Sequence, residues 1–207
     1  MSNRREGPSD RTPLADGEQA RKLAMLLAEA AATSKGSYPD HPLAVANLSR
    51  LVGVELGLSE EALEVLILGA LLHDVGKLGV PEELLQKSGP LTHREREIVK
   101  RHSEIGARMI ELIWCLRWAA QVIRHHHERY DGSGYPDGLE AQQIPLPARI
   151  VAAVDAYDAM VSSRPYREGC SPTEAVGELM SKAGSQFDAE VVAALRRVAV
   201  PPGEERT

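Results

Sequence analysis

The run HHERYDGSGYPDG, His126 to Gly138, constrains this chain more than any other stretch. Two adjacent imidazoles and an acid close a helical segment, and glycines and a proline then force a loop over residues 128–146. A loop of that length inside a compact domain is uncommon unless it carries function. Nitrogen and carboxylate donors at a helix end are what a divalent-metal hydrolytic centre requires. The earlier pair His73-Asp74 gives the run something to cooperate with.

Around that loop the pattern is helical. An Ala/Leu-rich segment from Gln19 to Ala32 has high helix propensity, with Asp16 placed to cap it. Leu43, Val45, Leu48, Leu51 and Val52 fall on one helical face, and Gly57 ends that segment. Ser59 followed by two acids opens a third helix, whose apolar face runs through Leu63, Leu66, Ile67, Ala70 and Leu71 to deliver His73-Asp74 at its last turn. Thr92 and Glu95 form the signature of a capping box before the helix that carries His102. Further helical segments cover 105–113, 116–127 and 147–160, with Pro147 at a helix start. Ser171-Pro172 opens another, and Asp188 caps the last, 189–198. No strand alternation and no repeat are present. The expectation is an all-α, single-domain helical bundle over residues 16–200, with a disordered leader over 1–15 and a polar tail over 201–207.

A hydrophobic share of 43% and a charged share of 26% are those of a globular chain. The net charge of −6 argues against binding a nucleic-acid polymer, which calls for a basic face. The polar leader lacks the apolar core of a signal peptide, and no segment has the apolar length of a membrane span, so the expected location is cytoplasmic. The two cysteines, Cys115 and Cys170, are far apart, and neither suggests a disulfide framework or a nucleophile.

The candidate metal ligands, in chain order, are His41, His73, Asp74, His102, His126, His127 and Asp155. A mixed His/Asp set suits first-row transition ions better than calcium or magnesium, which prefer oxygen. Asp74 is the natural bridge, since one carboxylate can hold two ions with a hydroxide between them. Lys77, three residues on, would share its face if the helix continued, and would stabilise charge growing on phosphate oxygens. Arg149, Arg164 and Arg167 are further phosphate candidates. His93 and His125 have no independent support and read as ordinary helix residues. Glu60, Glu61 and Glu82 read as helix-start or surface charge, and Asp158 as a supporting or structural acid.

These residues resemble a known family. His41, His73-Asp74 and Asp155 in that order follow the pattern of the HD superfamily of metal-dependent phosphohydrolases. The strings ALLHDVGKLGVP (70–81), HHERYDGSGYPDGL (126–139), IPLPARI (144–150), RPYR (164–167) and QFD (186–188) are similar to the HD-GYP subgroup over roughly residues 37–197. That resemblance implies an HD-type helical fold, hydrolysis of cyclic di-GMP to linear pGpG or on to GMP, and two iron or manganese ions. It implies that the seven candidates are the ligands, with His41 and His102 included on this ground. It places Asp74 and Lys77 at the catalytic site and Arg164 and Arg167 near substrate. Gly134, Tyr135 and Pro136 become a surface for substrate or for other signalling proteins. Members resembling three-metal enzymes carry a glutamate where Ser37 stands, so two ions and pGpG are expected. Members also carry a sensory or receiver domain ahead of this module; the leader is too short for one, so a free-standing module or a fragment is expected. Two alternatives remain: an interaction module of the same fold, and a phosphodiesterase for another cyclic dinucleotide such as cyclic GMP-AMP.

Overall fold

A central helix, hydrophobic on nearly every side, organises the molecule. The computed structural model describes residues 17–34, 40–163 and 168–200, so the expected leader and tail, Ser37, Arg164 and Arg167 lie outside the described residues. Ten α-helices are described: α1 Gly17–Ser34, α2 His41–Glu55, α3 Glu60–Leu72, α4 Glu82–Leu85, α5 His93–Lys100, α6 His102–Glu111, α7 Ala120–His125, α8 Leu146–Val161, α9 Pro172–Ser181 and α10 Ala189–Ala199. The described residues contain no strand, only isolated bridges such as Asp131 to Glu140. None of the described helices is long and apolar enough to cross a membrane.

Helix α3 is the centre of the bundle. Leu63, Leu66, Leu68, Ala70, Leu71 and Leu72 are all buried, which a helix can do only with neighbours around it. Helices α1, α2, α7 and α8 supply those neighbours. Ser59 caps α3 by accepting from the Ala62 N–H, as expected. The expected capping box of Thr92 and Glu95 on α5 is present, and α9 carries a second one from Ser171 and Glu174. Gly57 takes the left-handed conformation (φ 74°) beyond the end of α2.

Three expectations change, the first at His102, which opens α6 instead of lying on α5, the helix that Thr92 caps. The third helix does not continue through Lys77. It stops at Leu72, and Val75–Gly79 forms a 3-10 turn instead. Leu116 to His127 is not one helix either, since a short 3-10 segment at Arg117–Ala119 precedes α7.

The tighter 3-10 turn has a visible purpose. At Gly76 it meets α6 backbone to backbone, and a Cβ there would lie 1.9 Å from the His102 carbonyl oxygen and 2.5 Å from the Gly106 nitrogen. Only glycine permits that approach, which sets Asp74 and Lys77 directly against His102. Gly76→Ala should therefore destabilise the chain by about 2–3 kcal/mol, as forced overpacking against backbone does. A urea denaturation midpoint unchanged from wild type would contradict this account.

Candidate metal centre

Three of the candidate histidines are held the same way. His73, His102 and His126 each place Nδ1 on a carbonyl three residues back, at 2.8 Å to Ala70, 2.8 Å to Val99 and 2.7 Å to Ile123. A carbonyl only accepts, so Nδ1 carries the proton and Nε2 is left as a bare lone pair. All three side chains are buried. His73 Nε2 has no hydrogen-bond partner. The Nε2 atoms of His102 and His126 face each other across 3.4 Å, although neither neutral ring has a proton to give there. Lone pairs aimed at one another in a buried site call for a cation between them.

The donors fall into two groups, each with its ligand atoms within 4.8 Å of one another: His102, His126 and His127, and His41, His73 and Asp155. Asp74 stands between them, with Oδ2 3.5 Å from His73 Nε2 and Oδ1 3.5 Å from His102 Nε2. All seven residues expected to act together are thus in one place. An unpartnered buried nitrogen, facing lone pairs and a mixed N/O donor set fit divalent transition ions. Lys77 forms an ion pair with Asp74 Oδ2.

Around the ligand atoms sits a supporting layer. Asp158, expected to support rather than ligate, accepts from His41 Nδ1 at 2.7 Å and turns Nε2 toward Asp155, 3.3 Å away. Tyr135 lays its ring on that of His127, with centroids 4.9 Å apart and planes 29° apart. Gly134 lets it do so, because a Cβ there would meet Arg129 N at 2.3 Å and Glu128 Cα at 2.5 Å. Pro136 follows through a cis peptide bond.

The supports of this loop are what sequence reading missed. Glu128 is buried, and its Oε1 accepts from the backbone N–H groups of Asp137 (2.7 Å) and Gly138 (3.0 Å). His125 is not the unremarkable helix residue expected. It is buried, with Nε2 2.9 Å from the Asp137 carboxylate, which also accepts two bonds of 2.7 Å from Arg124. The available signal was three consecutive histidines ahead of an Asp that follows the loop proline.

Arg149 also departs from expectation. Its Nε donates to the Ile144 carbonyl at 3.0 Å and its Nη1 pairs with buried Asp188, so it braces α8 against the start of α10. A guanidinium committed in that way is not free for substrate phosphate.

Electrostatics prepare His102, His126 and His127 to ligate by keeping them unprotonated, while His41 holds its proton in the metal-free chain. Burial holds His126 well below its usual range and His102 below it, and burial with the nearby His102 lowers His127 to about 4. At His41 burial also opposes protonation, but Asp155 and Asp158 outweigh it and raise the group to about 9. Burial disfavours the charged form of Asp74, but the Lys77 ammonium paired with it outweighs that cost and holds the carboxylate ionised.

Histidines lowered in the folded state stabilise above the unfolded value near 6.5, and that contribution is lost as pH falls toward 4. His41, raised, stabilises below 6.5 and loses that contribution as pH rises through 9. The metal-free chain should therefore be most stable around pH 6.5. Its melting temperature in chelator should fall on both sides, and a profile still rising from pH 6.5 down to 5 would refute the assignment.

The HD domain family model matches residues 9–191. The cyclic di-GMP phosphodiesterase response regulator RpfG of Xanthomonas campestris pv. campestris is 40% identical over 182 residues, 87% of this chain and 48% of that protein. The 3'3'-cGAMP-specific phosphodiesterase 1 of Vibrio cholerae is 38% identical over 157 residues, 76% of this chain and 36% of that protein. Among solved structures, a cyclic GMP-AMP specific phosphodiesterase of Vibrio cholerae (V-cGAP3) superposes with a TM-score of 0.69 at 22% identity, over 87% of this chain and 49% of that one. This chain thus spans about half the length, or less, of these relatives. Matched in sequence over most of its length and in fold throughout the helical bundle, the chain belongs to the HD domain family.

Proposed function

We propose that this chain is a divalent-metal-dependent phosphodiesterase of the HD-GYP type that opens cyclic di-GMP to linear pGpG. The observation that carries the reading is Asp74, one carboxylate whose two oxygens face two separate His-rich donor groups. Two ions, iron or manganese, would be held by His41, His73 and Asp155 on one side and His102, His126 and His127 on the other, with Asp74 shared. Such a pair supplies an acidified water as nucleophile and positive charge for the phosphate oxygens.

The chain's own residues do the rest. The carbonyls of Ala70, Val99 and Ile123 fix three imidazoles as acceptors before any ion arrives, so binding requires little reorganisation. Lys77, paired with Asp74 but still about a quarter exposed, keeps the carboxylate ionised and offers its ammonium to the scissile phosphate. We assign Arg164 and Arg167 to the substrate phosphates or guanine. Gly134, Tyr135 and Pro136 form the wall beside His127, where substrate would lie. A cytoplasmic location follows from this substrate class.

A second reading has specific support. A relative 38% identical is named for 3'3'-cGAMP, so that dinucleotide is the alternative substrate. Under the interaction-module reading, the exposed Asp131 and Ser133 at the rim of the loop are the face a signalling protein would meet.

Protein loaded anaerobically with Fe²⁺ or Mn²⁺ should convert cyclic di-GMP to pGpG. Asp74→Ala should lose bound metal, and turnover should fall roughly a thousand-fold or more. Turnover surviving in the variant would end the two-ion reading. Preference for 3'3'-cGAMP in direct competition would select the alternative.

A further inference from the structure

Helix α5 contributes no buried side chain, yet its last residue reaches the candidate centre. Lys100 Nζ lies 5.2 Å from the centroid of the Tyr135 ring, and that ring stacks on His127. A candidate metal ligand, an aromatic ring and a cation therefore follow one another outward from the site. The ring face holds the ammonium by its quadrupole, which directs the charge without neutralising it.

Two other described cations of this wall are committed. Arg129 is tied to Asp131 and Ser133, and Arg124 to Asp137 and Glu104. Among the described residues Lys100 has an ion pair only with Glu97, 2.7 Å away and three residues back on the same helix, and both side chains are about half exposed. Such a pair is screened by solvent and exchanges readily for a better anion. A compact ammonium on a flexible stem suits a phosphate as a point charge.

A cyclic dinucleotide carries two phosphodiesters on opposite sides of its ring. While one sits at Asp74 and Lys77, the other brings a negative charge to a site whose rim already holds Glu97. We propose that Lys100 is a substrate-binding residue that leaves Glu97 and takes the phosphate that is not being cleaved. This inference rests on the phosphodiesterase reading above.

Lys100→Ala in the metal-loaded chain should raise KM for cyclic di-GMP about ten-fold with kcat within two-fold, as expected for a contact made equally in ground and transition states. Metal content should equal that of wild type, which separates this effect from damage to nearby His102. Lys100→Arg should restore most of the affinity. With bis(p-nitrophenyl) phosphate, which offers a single phosphate, the rise in KM should shrink to about two-fold or less. An unchanged KM for the dinucleotide in Lys100→Ala, or an equal rise with both substrates, would overturn the role of Lys100 while leaving the enzyme reading intact. If metal-loaded wild type cleaves neither cyclic di-GMP nor 3'3'-cGAMP, the enzyme reading fails and Lys100 loses its role with it.

Discussion

Nδ1 of His73, His102 and His126 is bound in each case to a carbonyl one helical turn earlier, and the rest of the centre is arranged around the lone pairs this leaves. These three bonds are local, made within the helix end or turn that carries each histidine. They therefore need no partner distant along the chain. The bundle then brings the ends together: α3 delivers His73, α6 delivers His102, and α7 runs into His126. A fold whose main elements meet at their termini concentrates polar groups at one point while leaving the helix bodies apolar. Burying bare imidazole nitrogens costs free energy unless a cation is shared among them. The apolar body of α3 and its neighbours offsets that cost in the metal-free chain.

Much of this was legible in the residues because the deciding features are short-range. Ser59, Thr92 and Ser171 read as caps, and their side chains do cap. The apolar stripe from Leu63 to Leu71 read as a buried face, and α3 is the core. Six of the seven candidate ligands sit at or next to a helix end, where a clustered His or His-Asp pair stands out, and only Asp155 lies within a helix, α8. Their convergence was a matter of tertiary structure, and for His41 and His102 the expectation rested on resemblance alone.

What sequence did not disclose depended on partners far along the chain. Arg149 reads as a phosphate ligand until Asp188, 39 residues later, takes its guanidinium. His125 reads as filler until Asp137 returns to meet it. Lys77 kept its expected partner, Asp74, although the helix expected to align them ends at Leu72, because a 3-10 turn also places residues three apart on one side. Gly76 is the reverse case. Its role is invisible in the sequence and follows only from the backbone it touches in α6.

The fastening of the loop has a further consequence. Residues 130 and 131 bind the carbonyls of Gln186 and Ser185, and residues 137 and 138 bind Glu128, while Asp137 is clasped by the last two residues of α7. The loop is thus sewn at one end to the turn before α10 and at the other to the segment that carries His126 and His127. Lifting it strips hydrogen bonds from that segment at the same time. The backbone amides of Tyr130, Asp131, Asp137 and Gly138, although in a loop, should therefore open together with the end of α7, so that their exchange with solvent reports the integrity of the centre rather than the ease of a surface excursion.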